Sequence, residues 1–283
     1  AEFLVAADLD GRRDRARIRL AATVGADQVL RRFAAVPGLM TERRQLRWDP
    51  DRDDLVESVE RRLGSLRLGT TTSRPTPGEA TTAALLARVR ETGLAVLPWD
   101  GTSLRLRERV EFLRHRRGTP WPDWSVEALI ENLDDWLAPY LAGASTRDDL
   151  ERLDLTMLLR AMLPWPEGAD LDALAPTGLD TPAGTTARID YRDGRPVCAV
   201  RVQDLFGLTE HPLADGEPIV LELLSPADRP IQVTSDLPGF WSGSWSAVRS
   251  EMAGRYPKHQ WPDDPATARP HRLRRPPSED GRA

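Results

Sequence analysis

Four Asp-Asp pairs stand out in this sequence: Asp53-Asp54, Asp134-Asp135, Asp148-Asp149 and Asp263-Asp264. Two such pairs converging in space could hold two metal ions for hydrolysis. Adjacent acids more often cap helices or solvate turns, and that is the expected use here. His115, His211, His259 and His271 are scattered without ligand-like spacing, and Cys198 is the one cysteine, so a structural zinc site is not expected. Lys258 is the only lysine, and no Gly-x-x-x-x-Gly-Lys-Ser/Thr string exists to cradle a triphosphate. Gly-x-Gly-x-x-Gly and Gly-x-Ser-x-Gly are also missing, which removes the signatures of dinucleotide binding and of an α/β-hydrolase nucleophile. Asp8-Leu9-Asp10-Gly11 resembles the start of a calcium loop. Arg19 stands where that loop needs its bidentate Glu, so the segment reads as a hairpin turn.

Recognition chemistry remains. Arg12, Arg13, Arg15 and Arg17 lie on that first hairpin, and Arg43, Arg44 and Arg47 lead into the next strand. Arg249, Arg255, Lys258 and His259 surround the last helix. Cations of this kind grip phosphates, and aromatic faces beside them can stack on bases. The plain alternatives are a charged hairpin and a salt-bridged cap. Arg12, Arg13, Arg43 and Arg44, then Arg255 and Lys258, are the candidate nucleic-acid-binding residues. Of nine tryptophans, Trp136, Trp241 and Trp245 lie on apolar stripes and read as core. Trp121, Trp124, Trp165 and Trp261 stand close to prolines, as loop anchors or exposed stacking faces.

The elements that must position these residues follow from patterning. The 283 residues suffice for a sizeable core, as one large domain or two to three small ones. Net charge is −5, unevenly spread: residues 1–75 hold 15 Arg against 12 acids, and residues 76–183 hold 11 against 18. Genome composition is the simplest source of so much arginine. One cysteine fits a reducing compartment, and its apolar strand predicts a buried, inert thiol. No apolar run reaches the length of a membrane span, and no charged-then-apolar leader opens the chain. The sequence enters strand-like residues at once, as expected of a segment of a longer polypeptide.

Residues 3–8 and 16–22 read as strands, 25–35 as a short helix, and 45–48, 55–61 and 65–70 as three further strands. That order predicts an OB-like β-barrel over 1–75, closed or lacking its first strand. A Thr/Pro-rich linker leads to a helical segment over 76–175. It holds helices at 79–92 and 102–116 and one opened by Ser125, with Val126, Leu129, Ile130, Leu133, Trp136 and Leu137 on its stripe. Residues 176–268 read as an α+β domain. Two strands flank Asp193-Gly194, two more flank Ser225-Pro226, and a final helix near Pro238 carries Trp241, Trp245, Val248 and Met252 on one face. Residues 269–283 read as a disordered tail. The fold class is α+β.

The C-terminal hundred residues resemble the end of the bacterial HrpB family of DEAH-type ATP-dependent helicases. The likeness rests on Arg188-Ile189-Asp190-Tyr191, on the run from Val202 to Glu210, on Leu223-Leu224-Ser225-Pro226-Ala227 and on Gln232-Val233-Thr234-Ser235-Asp236-Leu237. Gly239-Phe240-Trp241, Val248-Arg249-Ser250-Glu251-Met252 and the string from Gly254 to Pro265 follow in the same order. Leu4-Val5-Ala6-Ala7-Asp8-Leu9-Asp10-Gly11 and Asp135-Trp136-Leu137-Ala138-Pro139-Tyr140-Leu141 extend it over nearly the whole chain. The resemblance implies two RecA-like motor domains ahead of Ala1, which would hold ATP and Mg; the present segment would need no cofactor or metal. It also implies a cytoplasmic accessory region whose partners are its own motor and single-stranded nucleic acid, with RNA expected. No catalytic residue carries over. In this family the last barrel strands are dense in arginine, whereas here Glu57 and Glu60 interrupt the approach to Arg61-Arg62. The alternative is a protein-interaction scaffold that clamps the motor or recruits a partner through the acidic middle and the Trp-Pro loops.

Overall fold

The structure is a computed structural model that describes residues 3–11, 16–33 and 36–270. In chain order the first elements are β1 (Phe3–Leu9), β2 (Ile18–Val24), α1 (Ala26–Phe33), β3 (Met40–Asp49), β4 (Asp54–Leu63), β5 (Leu66–Ser73) and α2 (Glu79–Thr92). Then come α3 (Gly101–Arg117), α4 (Val126–Glu131), α5 (Leu133–Trp136), α6 (Arg147–Glu151), α7 (Leu155–Ala161) and α8 (Glu167–Leu174). The remainder is β6 (Gly178–Asp180), β7 (Thr186–Arg192), β8 (Arg195–Arg201), β9 (Leu213–Ala214), β10 (Glu217–Pro218), β11 (Val220–Leu224), β12 (Pro230–Thr234), α9 (Leu237–Ser242) and α10 (Trp245–Arg255). The expected mixture of helices and strands is thus borne out. Contacts group the chain into two units, Ala1–Leu97 with Leu133–Leu153, and Pro98–Asn132 with Asp154–Ala283.

In the first unit, β1 and β2 form a two-stranded antiparallel ribbon, bulged near Ala6, Asp8 and Leu9. The other strands make a meander in the order β3-β4-β5. Its tight β4–β5 turn is closed by Gly64 at φ +56, which a residue without Cβ adopts freely. The OB-like barrel expected over 1–75 is not closed among the described residues. No ladder joins the ribbon to the meander, so β3 and β5 each keep an unpaired edge. Apolar residues on both faces of the ribbon stay out of any core, with Leu4 55%, Val5 53% and Leu20 63% exposed. The meander is anchored at its other end. Leu55 and Val56 are buried, and Trp48 lies under the Arg88 guanidinium of α2, 4.6 Å from the ring centre.

The second unit is built round α3 and a five-stranded sheet ordered β12-β11-β8-β7-β6, in which β8 and β11 run parallel. Asp100 starts α3, its carboxylate accepting from the backbone N–H groups of Thr102 and Ser103. Four basic residues, Arg114 to Arg117, occupy its last turn, where the helix dipole favours cations. The β7–β8 hairpin turns on Asp193 and Gly194, at φ +49 and +72, the left-handed pair that the Asp-Gly dipeptide announced. Two helices expected to be continuous are broken. Asn132 (φ −99°, ψ 22°) ends α4, and Gly243 ends α9 with its N–H on the Gly239 carbonyl, 2.9 Å away. The apolar stripes survive both breaks: Trp136, Trp241, Trp245 and Met252 are buried. Phe206, Phe240, Trp241 and Trp245 form one aromatic cluster, ring centres 5.0–6.2 Å apart. Of the tryptophans near prolines, Trp121 and Trp124 are buried anchors and Trp165 is 87% exposed.

Candidate nucleic-acid interface

Strand register decides which arginines act together. Successive side chains on a strand point to opposite faces, and cross-strand partners share a face. Arg43 pairs in register with Glu60 and Arg44 with Val59, so these two neighbours face opposite ways. Arg44 shares its face with Glu42, Glu57 and Arg61, and the four are knitted together. Arg44 lies 3.8 Å from both Glu42 and Glu57, and Arg61 lies 2.9 Å from Glu42. Two acids there balance two bases.

The other face carries Arg43, Arg47, Arg62 and Arg67. Thr41, Gln45, Ser58, Thr70 and Thr72 lie among them, and no aromatic does. Its acids are Glu60, 2.6 Å from Arg62, Asp49, 3.5 Å from Arg47, and Asp54, which accepts from the Arg147 backbone N–H. Among the described residues Arg43 and Arg67 are exposed and make no ion pair. Four guanidiniums against three carboxylates, two of them at the Asp49–Asp54 end of the strands, make this the basic face of the meander. Arg62 and Arg67 were not singled out beforehand. The β4–β5 bulge that sets Arg67 opposite Arg62 lies beside Gly69, a glycine inside a strand being its one local mark.

Arg12 and Arg13 lie outside the described residues. In the second unit Arg255 closes α10 and reaches Glu251 one turn back, at 3.3 Å. Lys258 follows in an exposed turn. Arg249 is absorbed structurally: its Nε donates to the Trp261 carbonyl at 3.0 Å, and its other end meets Asp263 at 2.6 Å.

The paired carboxylates act as caps and clasps. Asp53 accepts from the Trp48 indole N–H at 3.0 Å and pairs with Arg88 and Arg147, while Asp54 accepts from the Arg147 backbone N–H at 2.7 Å. Asp134 pairs with Arg90 at 2.5 Å. Asp149 accepts from the backbone N–H groups of Ser145 and Thr146. Burial alone would raise its pKa, but these bonds, the Thr146 hydroxyl and Arg74 hold it below the usual carboxylate value. Among the described residues no group of three His, Cys, Asp or Glu could hold a metal ion. Cys198 is fully buried; that burial, with Asp190 and Glu222 nearby, pushes its thiol up to about 12. No helix among the described residues is long and apolar enough to cross a membrane.

Residues 136–265 match the family model described as ATP-dependent helicase C-terminal, HrpB_C. The chain belongs to the HrpB family and corresponds to its C-terminal region. It is 37% identical over 263 residues to the ATP-dependent RNA helicase HrpB of Escherichia coli K12, covering 91% of this chain and 32% of that protein. The crystal structure of the E. coli DExH-box NTPase HrpB superposes with a TM-score of 0.68 at 36% identity, covering 94% of this chain and 33% of that one. That of the E. coli DEAH/RHA helicase HrpB gives 0.60 at 31%, with 91% and 32% covered. The chain therefore spans about a third of the length of these relatives.

Proposed function

We propose that this chain is the accessory region of an HrpB-type ATP-dependent helicase and helps the motor hold single-stranded RNA. The observation that carries the reading is the basic face of β3–β5, with Arg43, Arg47, Arg62 and Arg67 among hydroxyl and amide side chains. Arginine forks match phosphate oxygens, and without an aromatic platform the face reads backbone rather than bases. Arg12 and Arg13 extend this grip from the first hairpin, and Arg255 and Lys258 add a second contact on the other unit. Arg44 contributes only after leaving its own carboxylate partners. ATP and Mg belong to RecA-like motor domains outside this chain, and the whole protein works in the cytoplasm.

A second role fits the β1–β2 ribbon. Leu4, Val5, Leu9, Ile18 and Leu20 are 45–63% exposed, more apolar surface than a two-stranded ribbon keeps in water without a cover. The ribbon packs against the motor, and with β3–β5 it supplies the strands of an OB-like barrel.

The test is a titration of fluorescein-labelled oligouridylate, 20 nucleotides long, with the purified chain at 50 and 200 mM salt. Binding should weaken steeply with salt. Replacing Arg43 and Arg62 by Glu together should abolish it, while Arg44→Glu should cost less. Binding that is independent of salt and indifferent to these changes would remove the proposal.

A further inference from the structure

We infer that Glu60 is a built-in competitor for phosphate that limits how tightly the basic face holds a strand; this rests on the RNA-binding reading above. Glu60 lies at the centre of the basic face, directly opposite Arg43 in the β3–β4 register. Its Oε1 accepts from Arg62 at 2.6 Å, and its side chain is only 27% exposed. One terminal nitrogen of Arg62 is thus already held by an oxyanion of the kind it would meet on a nucleic-acid backbone, and the other donates to the Ser65 carbonyl at 2.9 Å. A phosphate that engages the same nitrogen of Arg62 must displace Glu60, and the carboxylate then stands beside the incoming charge. Each contact at this point is an exchange of one anion for another, which favours release as much as capture.

The geometry separates Glu60 from the other acids of the meander. Glu42 and Glu57 balance Arg44 and Arg61 on the opposite face. Asp49 pairs with Arg47 at the buried end of the sheet. Asp54 lies at that same end, on the Arg147 backbone N–H, so Glu60 alone stands beside Arg62 and opposite Arg43, which makes no ion pair among the described residues.

Three variants of the chain test this with the same oligouridylate. Glu60→Gln keeps the side chain's size and removes its charge. It should bind about three- to tenfold more tightly at 100 mM salt. The slope of log K against log salt should steepen by about 0.7, one more counterion released for lack of an internal one. Glu57→Gln makes the same change in net charge on the opposite face, where Glu42 still holds Arg44 and Arg61, and should tighten binding by less than about twofold. Arg62→Glu should weaken binding. If Glu60→Gln matches wild type, or if Glu57→Gln tightens binding equally, while Arg62→Glu still weakens it, the competitor role is wrong and the interface stands. If Arg62→Glu has no effect either, the interface itself is misplaced and this inference falls with it.

Discussion

Asp215 offers a sharp test of what holds the second unit together. It sits at φ +47 in the turn between β9 and β10, followed by Gly216 at φ +75. Its side chain is only 7% exposed and gathers two guanidiniums from the end of α3. The Arg117 Nε donates to Oδ1 at 2.8 Å and the Arg116 Nε to Oδ2 at 3.2 Å. Arg116 also donates to the Asp215 carbonyl at 2.8 Å and meets Glu217 at 2.7 Å. Hydrogen bonds from Arg117, then from Arg116, hold the Asp215 carboxyl below its usual range despite burial. Asp215→Asn suits the left-handed turn, removes the charge and turns one accepting oxygen into an N–H donor. Breaking a fully buried pair costs about 3–5 kcal/mol and an exposed one under about 1. The arginines here are 32% and 47% exposed and regain water when released, so a loss of about 1–2 kcal/mol is expected. Urea unfolding followed by tryptophan fluorescence reads it, since seven of the nine tryptophans lie in this unit. A carboxylate with a lowered folded pKa stabilises above its unfolded value and loses that contribution as pH falls through the folded one. The gap between wild type and variant should therefore be full at pH 7 and 5 and shrink by pH 3. A gap under about 0.3 kcal/mol at pH 7, or one unchanged at pH 3, would refute the reasoning.

Three further outcomes are expected. Trp245→Ala removes the centre of the aromatic cluster, whose indole N–H also donates to the Pro262 carbonyl at 3.0 Å; calorimetry should show about 3–5 kcal/mol lost. Cys198 should resist a thiol reagent at pH 8 in the native protein and react at the rate of unfolding, given a thiol raised to about 12. His211 accepts the Leu237 N–H on Nδ1 and donates from Nε2 to the Ile219 carbonyl, so its folded form is neutral. Burial lowers its pKa below 6.5, and NMR should find it titrating there, with stability lost as pH falls through that value.

Local chemistry was legible in the sequence, and long-range pairing was not. Asp193-Gly194 announced its turn, Ser125 opened its helix, and the tryptophan stripe marked the buried face of α9 and α10. Each depends on residues a few positions apart. Whether β1–β2 joins β3–β5 depends on pairing between distant strands, and period-2 alternation says nothing of it. The helix breaks were hidden for another reason. An apolar stripe continues across a kink, so Asn132 and Gly243 interrupt the backbone without interrupting the pattern. Trp165 shows the limit of composition: it adjoins prolines as Trp121 does, yet one is exposed and the other buried.

The fate of the meander's arginines follows a rule that the sequence does contain. On a strand, residues two apart share a face, so an acid at that spacing is the nearest counterion an arginine can have. Arg44 has Glu42, Arg47 has Asp49 and Arg62 has Glu60, and all three pairs form. Arg43 is flanked at that spacing by Thr41 and Gln45, and Arg67 by Ser65 and Gly69; these are the two without an ion pair among the described residues. Arg61 also lacks such an acid, and its partner Glu42 comes across the β3–β4 ladder instead. Counting cations therefore misjudges a sheet as a binding surface. What matters is which cations are left over once same-face neighbours and cross-strand partners are assigned. On this meander the remainder is Arg43 and Arg67, with Arg62 between them held by an acid it must release.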